Sequence, residues 1–152
     1  MVMKIYVDTS VFGGCFDAEF EEWSNKLVEE FMRGFKVAVI SDLTLRELED
    51  APLKVRSLVG EIPEEHKEYV VLNDETKALA RCYIQEGVVG DGFLVDAQHI
   101  AIATVSRGDV LVSWNFKHIV NLTKIRHYNA VNLKYGYPLL EIRSPMEVLY
   151  ER

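Results

Sequence analysis

Lys4-Ile5-Tyr6-Val7-Asp8-Thr9-Ser10 is a short apolar run that stops on a carboxylate and two hydroxyls. A run of this length and composition reads as a strand buried on both faces, as in a parallel sheet. The pattern recurs along the chain. Val37-Ala38-Val39-Ile40-Ser41 is followed by Glu47, and Phe93-Leu94-Val95 by Asp96. Val110-Leu111-Val112-Ser113 leads to Asn115, an amide where a fourth carboxylate would complete the series. In an open α/β sheet, ligands bind beyond the carboxyl ends of parallel strands, so residues far apart in sequence meet in one pocket. Carboxylates gathered in this way repel one another unless a cation offsets their charge. Hard oxygen donors select Mg²⁺ or Mn²⁺, and metal-assisted attack on a phosphodiester is the chemistry such a pocket suits.

Helical patterns separate the strands. Phe20, Trp23, Leu27 and Phe31 recur at helical spacing from about Phe20 to Arg33, and Gly34 ends that segment. Gly13 and Gly14 read as a break after the first strand. Ser41 reads as an N-cap with Asp42 in the first turn of a helix carrying Leu43, Leu45 and Leu48, and Pro52 either breaks that helix or opens another. Pro63-Glu64-Glu65 starts a short helix, and Tyr69-Val70-Val71-Leu72 is a third strand. Asn73 or Asp74 caps a helix that Gly87 ends, and Gly87 to Gly92 reads as a mobile loop. Asp96 begins an almost wholly apolar helix that runs to Gly108. A helix over Leu122 to Lys134, an edge strand over Leu139 to Ile142 and a terminal helix opening at Ser144-Pro145 complete the pass. Strands alternating with helices imply a mainly parallel sheet of four to five strands with helices on both faces, spanning 1–152 as one domain.

The composition limits the partners. A net charge of −7 argues against a generic nucleic-acid binder. Lys117, His118, Lys124, Arg126 and His127 form the most basic stretch, read either as a solvated face or as an RNA contact. No apolar stretch reaches the roughly 20 residues of a membrane span, and the charge at Asp8 comes too early for a signal peptide, so a cytoplasmic protein is expected. Cys15 and Cys82 have no metal-binding spacing, and neither do His66, His99, His118 and His127. His99 lies one turn beyond Asp96 and is read as a core or surface histidine within reach of the site. Trp114 is read as packing, Asp91 as a solvated turn, and Asp74 with Glu75 as helix capping.

Four stretches together carry a resemblance: Ile5-Tyr6-Val7-Asp8-Thr9-Ser10, Ser41-Asp42-Leu43-Thr44-Leu45-Arg46-Glu47-Leu48, Asp96-Ala97-Gln98-His99-Ile100-Ala101-Ile102-Ala103 and Leu111-Val112-Ser113-Trp114-Asn115-Phe116. In this order and spacing the chain resembles a PIN domain, most of all the VapC-like toxins of type II toxin–antitoxin pairs. The resemblance implies an α/β/α sandwich and a Mg²⁺- or Mn²⁺-dependent ribonuclease with an antitoxin partner and a homodimeric state. It places the acidic cluster on Asp8, Glu47 and Asp96, with Asn115 at the usual position of a fourth Asp and the associated hydroxyl on Ser113.

Asp8 and Asp96 are the expected metal ligands, and Glu47 the residue that positions the attacking water or takes its proton. Thr9, Ser10 and Ser113 offer hydroxyls to a phosphate or to the carboxylates. The Asn115 amide oxygen can ligate Mg²⁺ but lacks the charge to hold a second metal strongly. Helix capping competes as the role of Asp8 and Asp96. Two alternatives stand beside the ribonuclease: an interaction or scaffold domain inactivated by Asn115, and a phosphatase with Asp8 as nucleophile, which lacks an acid at Ser10.

Overall fold

Three of the four apolar runs that precede the site residues become strands because the chain covers both of their faces; Phe93-Leu94-Val95 does not, since Phe93 closes a 3₁₀ turn and Leu94 and Val95 open a helix. The structure, a computed structural model, describes residues 2–150. Its strands are β1 (Met3–Val7), β2 (Lys36–Ser41), β3 (Lys67–Val70), β4 (Val110–Val112) and β5 (Glu141–Arg143). They form one sheet in the order β3-β2-β1-β4-β5, and every pairing is parallel. Between them run α1 (Thr9–Gly14), α2 (Glu21–Met32), α3 (Asp42–Leu48), α4 (Leu53–Glu61), α5 (Asp74–Gln85), α6 (Leu94–Val105), α7 (Leu122–Lys134) and α8 (Pro145–Tyr150). Short 3₁₀ turns at Glu64–His66 and Asp91–Phe93 precede β3 and α6.

Strand alternation divides the core in two. Tyr6, Val39 and Leu111 join Leu79, Tyr83, Ile100, Ala103 and Tyr128 on one face. Ile5, Val7, Ala38, Ile40, Val110 and Val112 join Phe12, Leu27, Phe31, Val55, Leu58 and Val148 on the other. The result is an α/β/α sandwich, with α5, α6 and α7 on one side and α1, α2, α4 and α8 on the other. No helix among the described residues is long and apolar enough to cross a membrane.

Several expected boundaries move. The third strand is Lys67–Val70 rather than 69–72, because its register pairs Lys67 with Ala38 and Val70 with Ser41. The edge strand β5 is Glu141–Arg143 rather than 139–142, set by Val110↔Glu141. Gly13 and Gly14 do not break the chain; they lie in α1. Pro52 opens α4 as its N-cap. The expected mobile loop is pinned: Val88 and Val89 are buried, and the Lys124 ammonium donates to the Val88 carbonyl at 2.7 Å.

The order places β1 centrally, with β2 on one side and β4 on the other. The chain leaves β1 for α1 on one face, whereas α7, the helix after β4, packs on the opposite face. That reversal creates the crevice in which open α/β sheets bind ligands. Asp8 follows β1, and Ser113 and Asn115 follow β4, at the same edge of the sheet.

Candidate active site

Asp8 sits at the N-cap position of α1 but makes no side-chain cap. Its Oδ2 instead accepts from the Ser10 hydroxyl at 2.7 Å and the Ser113 hydroxyl at 2.8 Å. Those hydroxyls are held in turn by the backbone: Trp114 N donates to Ser10 Oγ and Asn115 N to Ser113 Oγ. The strand β4 and the turn after it therefore orient a carboxylate that follows β1. Of its two oxygens, Oδ1 is the one left outside these hydroxyl contacts.

Glu47 is held in the same fashion. Its Oε1 accepts from the Thr9 hydroxyl at 2.7 Å and faces His99 Nε2 at 2.6 Å. Thr9, Ser10 and Ser113 thus serve the carboxylates, one of the two roles expected of them. Asp96 lies in the first turn of α6, whose N-cap is Phe93 without a side-chain cap, so the helix begins before Asp96. Capping accounts for neither Asp8 nor Asp96.

His99 is the group the sequence underrates. It lies three residues after Asp96 on the same helical face, and it is 1% exposed. Its Nε2 is 3.6 Å from Asp8 Oδ1, and one ligand atom each from Asp8, Glu47 and His99 lie within 4.8 Å of one another. The hydrogen bonds behind it fix its ring. The Thr44 hydroxyl donates to the Val7 carbonyl at 3.3 Å, so it accepts from the Ser41 hydroxyl at 3.2 Å. Ser41 Oγ is also hydrogen-bonded to the Tyr6 hydroxyl at 2.8 Å. The Tyr6 hydroxyl is hydrogen-bonded to His99 Nδ1 at 2.7 Å, and Nε2 donates to the Glu47 carboxylate at 2.6 Å.

The charges agree with that arrangement. Burial works most strongly against the His99 imidazolium. The hydrogen bond to Glu47 and the charges of Asp8, Glu47 and Asp96 outweigh it and raise the pKa above the ordinary imidazole value. Burial likewise opposes the Glu47 carboxylate, but the His99 hydrogen bond and charge, with the Thr9 hydroxyl, bring its pKa below the usual range. Asp96 goes the other way: burial and then the Asp8 charge push it up, against smaller lowering effects of His118, His99 and a hydrogen bond from Asn115.

Asn115 does not offer its oxygen to the pocket. Oδ1 accepts from Lys117 N at 3.2 Å and His118 N at 2.9 Å, closing the turn after β4. Its amide N–H₂ is the end that can donate to Asp96. Where a fourth acid would add charge, Asn115 tethers the third. Trp114 packs as expected: its ring stacks on Phe20 at 4.3 Å and its Nε1 donates to Ser24. A groove of about 520 Å³ lies by α2 and α8, lined by Trp23, Lys26, Arg33 and Phe35 among others, and none of Asp8, Glu47 and Asp96 lines it.

The donor set fits a hard divalent cation. Asp8 and Glu47 each have one carboxylate oxygen outside the contacts that hold the other, and the Asp8 charge disfavours the ionised form of Asp96. The fold itself has counterparts. The VapBC2 structure from Rickettsia felis, bound to a DNA fragment from its promoter, superposes with a TM-score of 0.58 at 14% identity, covering 93% of this chain and 98% of that chain. Mycobacterium tuberculosis VapC20, a sarcin-ricin loop cleaving toxin, gives 0.56 at 15% identity, covering 75% and 92%.

The fold is that of a VapC-like PIN domain.

The PIN domain endonuclease Utp24 aligns more loosely, with a TM-score of 0.44 at 14% identity over 93% of this chain and 84% of that chain. No protein-family model matches the sequence, and no curated protein matches it. In this PIN fold, Asp8, Glu47 and His99 stand together at the end of the sheet, and Asp96 acts on both Asp8 and His99 through its charge.

Proposed function

We propose that the protein is a Mg²⁺- or Mn²⁺-dependent endoribonuclease acting as the toxin of a toxin–antitoxin pair. The observation that carries this reading is the handling of Asp8 and Glu47. Each has one oxygen held by two side chains of the pocket, and the other oxygen lies outside those contacts. Such pre-organisation costs stability and suits a group that must meet a cation or a reacting water in one geometry. An interaction domain has no use for it.

In this reading Asp8 and Asp96 hold the cation, directly or through water. When bound, the cation lowers the pKa of a water and polarises the phosphoryl oxygen. Glu47 orients the attacking water or takes its proton through the oxygen that Thr9 and His99 leave open. Ser10, Ser113 and Asn115 keep Asp8 and Asp96 in place. Exposed Phe93 and Phe116, which flank Asp96 and Asn115 in sequence, offer ring faces on which unpaired bases can stack.

An antitoxin partner, supported by the likeness to VapBC2, and a cytoplasmic location are part of the proposal. A homodimer is part of the same proposal. Leu122, Leu133, Tyr135 and Leu139, on and beside α7, are exposed and available for a second copy.

The test is single-turnover cleavage of structured RNAs in Mn²⁺, Mg²⁺ and EDTA. Metal-dependent cleavage is expected from the parent. Asp8→Asn, which removes charge but little volume, should abolish it while leaving the fold intact. Equal rates for the two proteins remove Asp8 from the mechanism. A parent inert with every metal but rescued by Asn115→Asp favours the scaffold reading.

A further inference from the structure

The cluster of Asp8, Glu47 and His99 looks at first like three ligands of one ion. The distances decide otherwise. Two ligands at right angles on an ion, each at roughly 2.0–2.1 Å, stand about 2.9 Å apart. His99 Nε2 and Glu47 Oε1 are 2.6 Å apart, a hydrogen-bond distance. The Glu47 carboxylate can only accept, so Nε2 carries the proton of that bond and has no lone pair to offer an ion while it serves Glu47. We propose that His99 is a positioning residue for Glu47 rather than a metal ligand.

Its Nε2–H and the Thr9 hydroxyl together hold Oε1, so that Oε2 is the oxygen presented to the water or the cation. The imidazole is fixed from behind through Tyr6, Ser41 and Thr44, back to the Val7 carbonyl. That support begins one residue before Asp8, so the same backbone that aims Asp8 also aims Glu47. The inference deepens the nuclease reading and rests on it.

The test combines pulsed electron paramagnetic resonance of Mn²⁺ bound to the parent with single-turnover cleavage by His99→Leu, His99→Gln and Tyr6→Phe. The parent spectrum should lack the nitrogen coupling of a coordinated imidazole. His99→Leu should lower the single-turnover rate about 100-fold, with Mn²⁺ affinity within roughly threefold of the parent and the KM for RNA unchanged. Glutamine can still donate to Oε1, so His99→Gln should recover much of the loss, and Tyr6→Phe should fall between.

Coordinated nitrogen in the parent, or a large loss of Mn²⁺ affinity in both His99 variants, makes His99 a ligand and overturns the inference. Parent-like cleavage by a folded His99→Leu does so as well. A parent that binds Mn²⁺ but cuts no RNA overturns the nuclease reading instead, and its spectrum still decides whether His99 is a ligand.

Discussion

Asn115 illustrates how one residue sets the electrostatics of a pocket without adding charge. Its oxygen closes a turn and its amide group tethers Asp96. Asn115→Asp keeps the turn's acceptor, removes the tether and sets a like charge beside a carboxyl already strained by burial and Asp8. A hydrogen bond to a charged group is worth about 1.5–3 kcal/mol, so the metal-free melting temperature should fall by roughly 3–12 °C. The added charge should enlarge the rise in Tm on adding Mn²⁺, and calorimetry in EDTA and in Mn²⁺ reads both effects. The His99–Glu47 pair gives a second prediction at this scale. His99 is raised, so its contribution is complete below its unfolded pKa and is lost as pH climbs through the higher folded value. Glu47 is lowered, so its contribution is complete above its unfolded pKa and is lost as pH falls through the lower folded one. In EDTA, the Tm gap between parent and His99→Gln should be widest between about pH 4.5 and 6.5 and narrow on both sides. A gap that widens above pH 7 would mean the pair does not share its proton in this way.

At the scale of elements, long periodic segments were legible and short ones were not. The spacing of Phe20, Trp23, Leu27 and Phe31 located α2, and the apolar run after Asp96 located α6. The six-residue α1, with two glycines, carries too few turns to show a period, and its glycines read as a break. Asp8 was legible because it directly follows a strand, whereas Glu47 comes from within α3 and Asp96 from the first turn of α6, which no strand immediately precedes. His99 was not legible, because its role depends on the Tyr6 hydroxyl and the Glu47 carboxylate, which no spacing within α6 reveals. The two glycines of α1 make a paired prediction. A Cβ on Gly14 would meet Ser24 Oγ at 2.6 Å and Trp114 Nε1 at 2.7 Å, whereas one on Gly13 meets nothing within 4 Å. Gly13→Ala should stabilise by about 0.5–1 kcal/mol, and Gly14→Ala should destabilise by about 1–3 kcal/mol. Because Trp114 N also holds Ser10, which holds Asp8, Gly14→Ala should slow cleavage as well. Urea denaturation of both variants checks the opposite signs, and two shifts of the same sign would contradict the packing described around α1.

For the whole molecule, the question is how an acidic protein comes to act on a polyanion. Its net charge of −7 repels RNA at long range, and part of that charge is concentrated in Asp8, Glu47 and Asp96. A cation that binds the native pocket and not the unfolded chain relieves this repulsion and stabilises the fold by mass action, by about 2.7 kcal/mol at 100 times its Kd. For a domain of this size that corresponds to a Tm rise of roughly 5–11 °C. Millimolar Mn²⁺ should therefore raise the melting temperature of the parent, and Asp8→Asn and Asp96→Asn should each shrink the rise. Asp96→Asn carries a further signature. It removes the carboxyl that burial and Asp8 already disfavour, so its metal-free Tm should equal or exceed that of the parent while its response to Mn²⁺ is smaller. Differential scanning calorimetry across a Mn²⁺ titration separates the two effects. An unchanged parent Tm at millimolar Mn²⁺ would mean that the three carboxylates do not form a cation site, and the proposed chemistry would lose its ground.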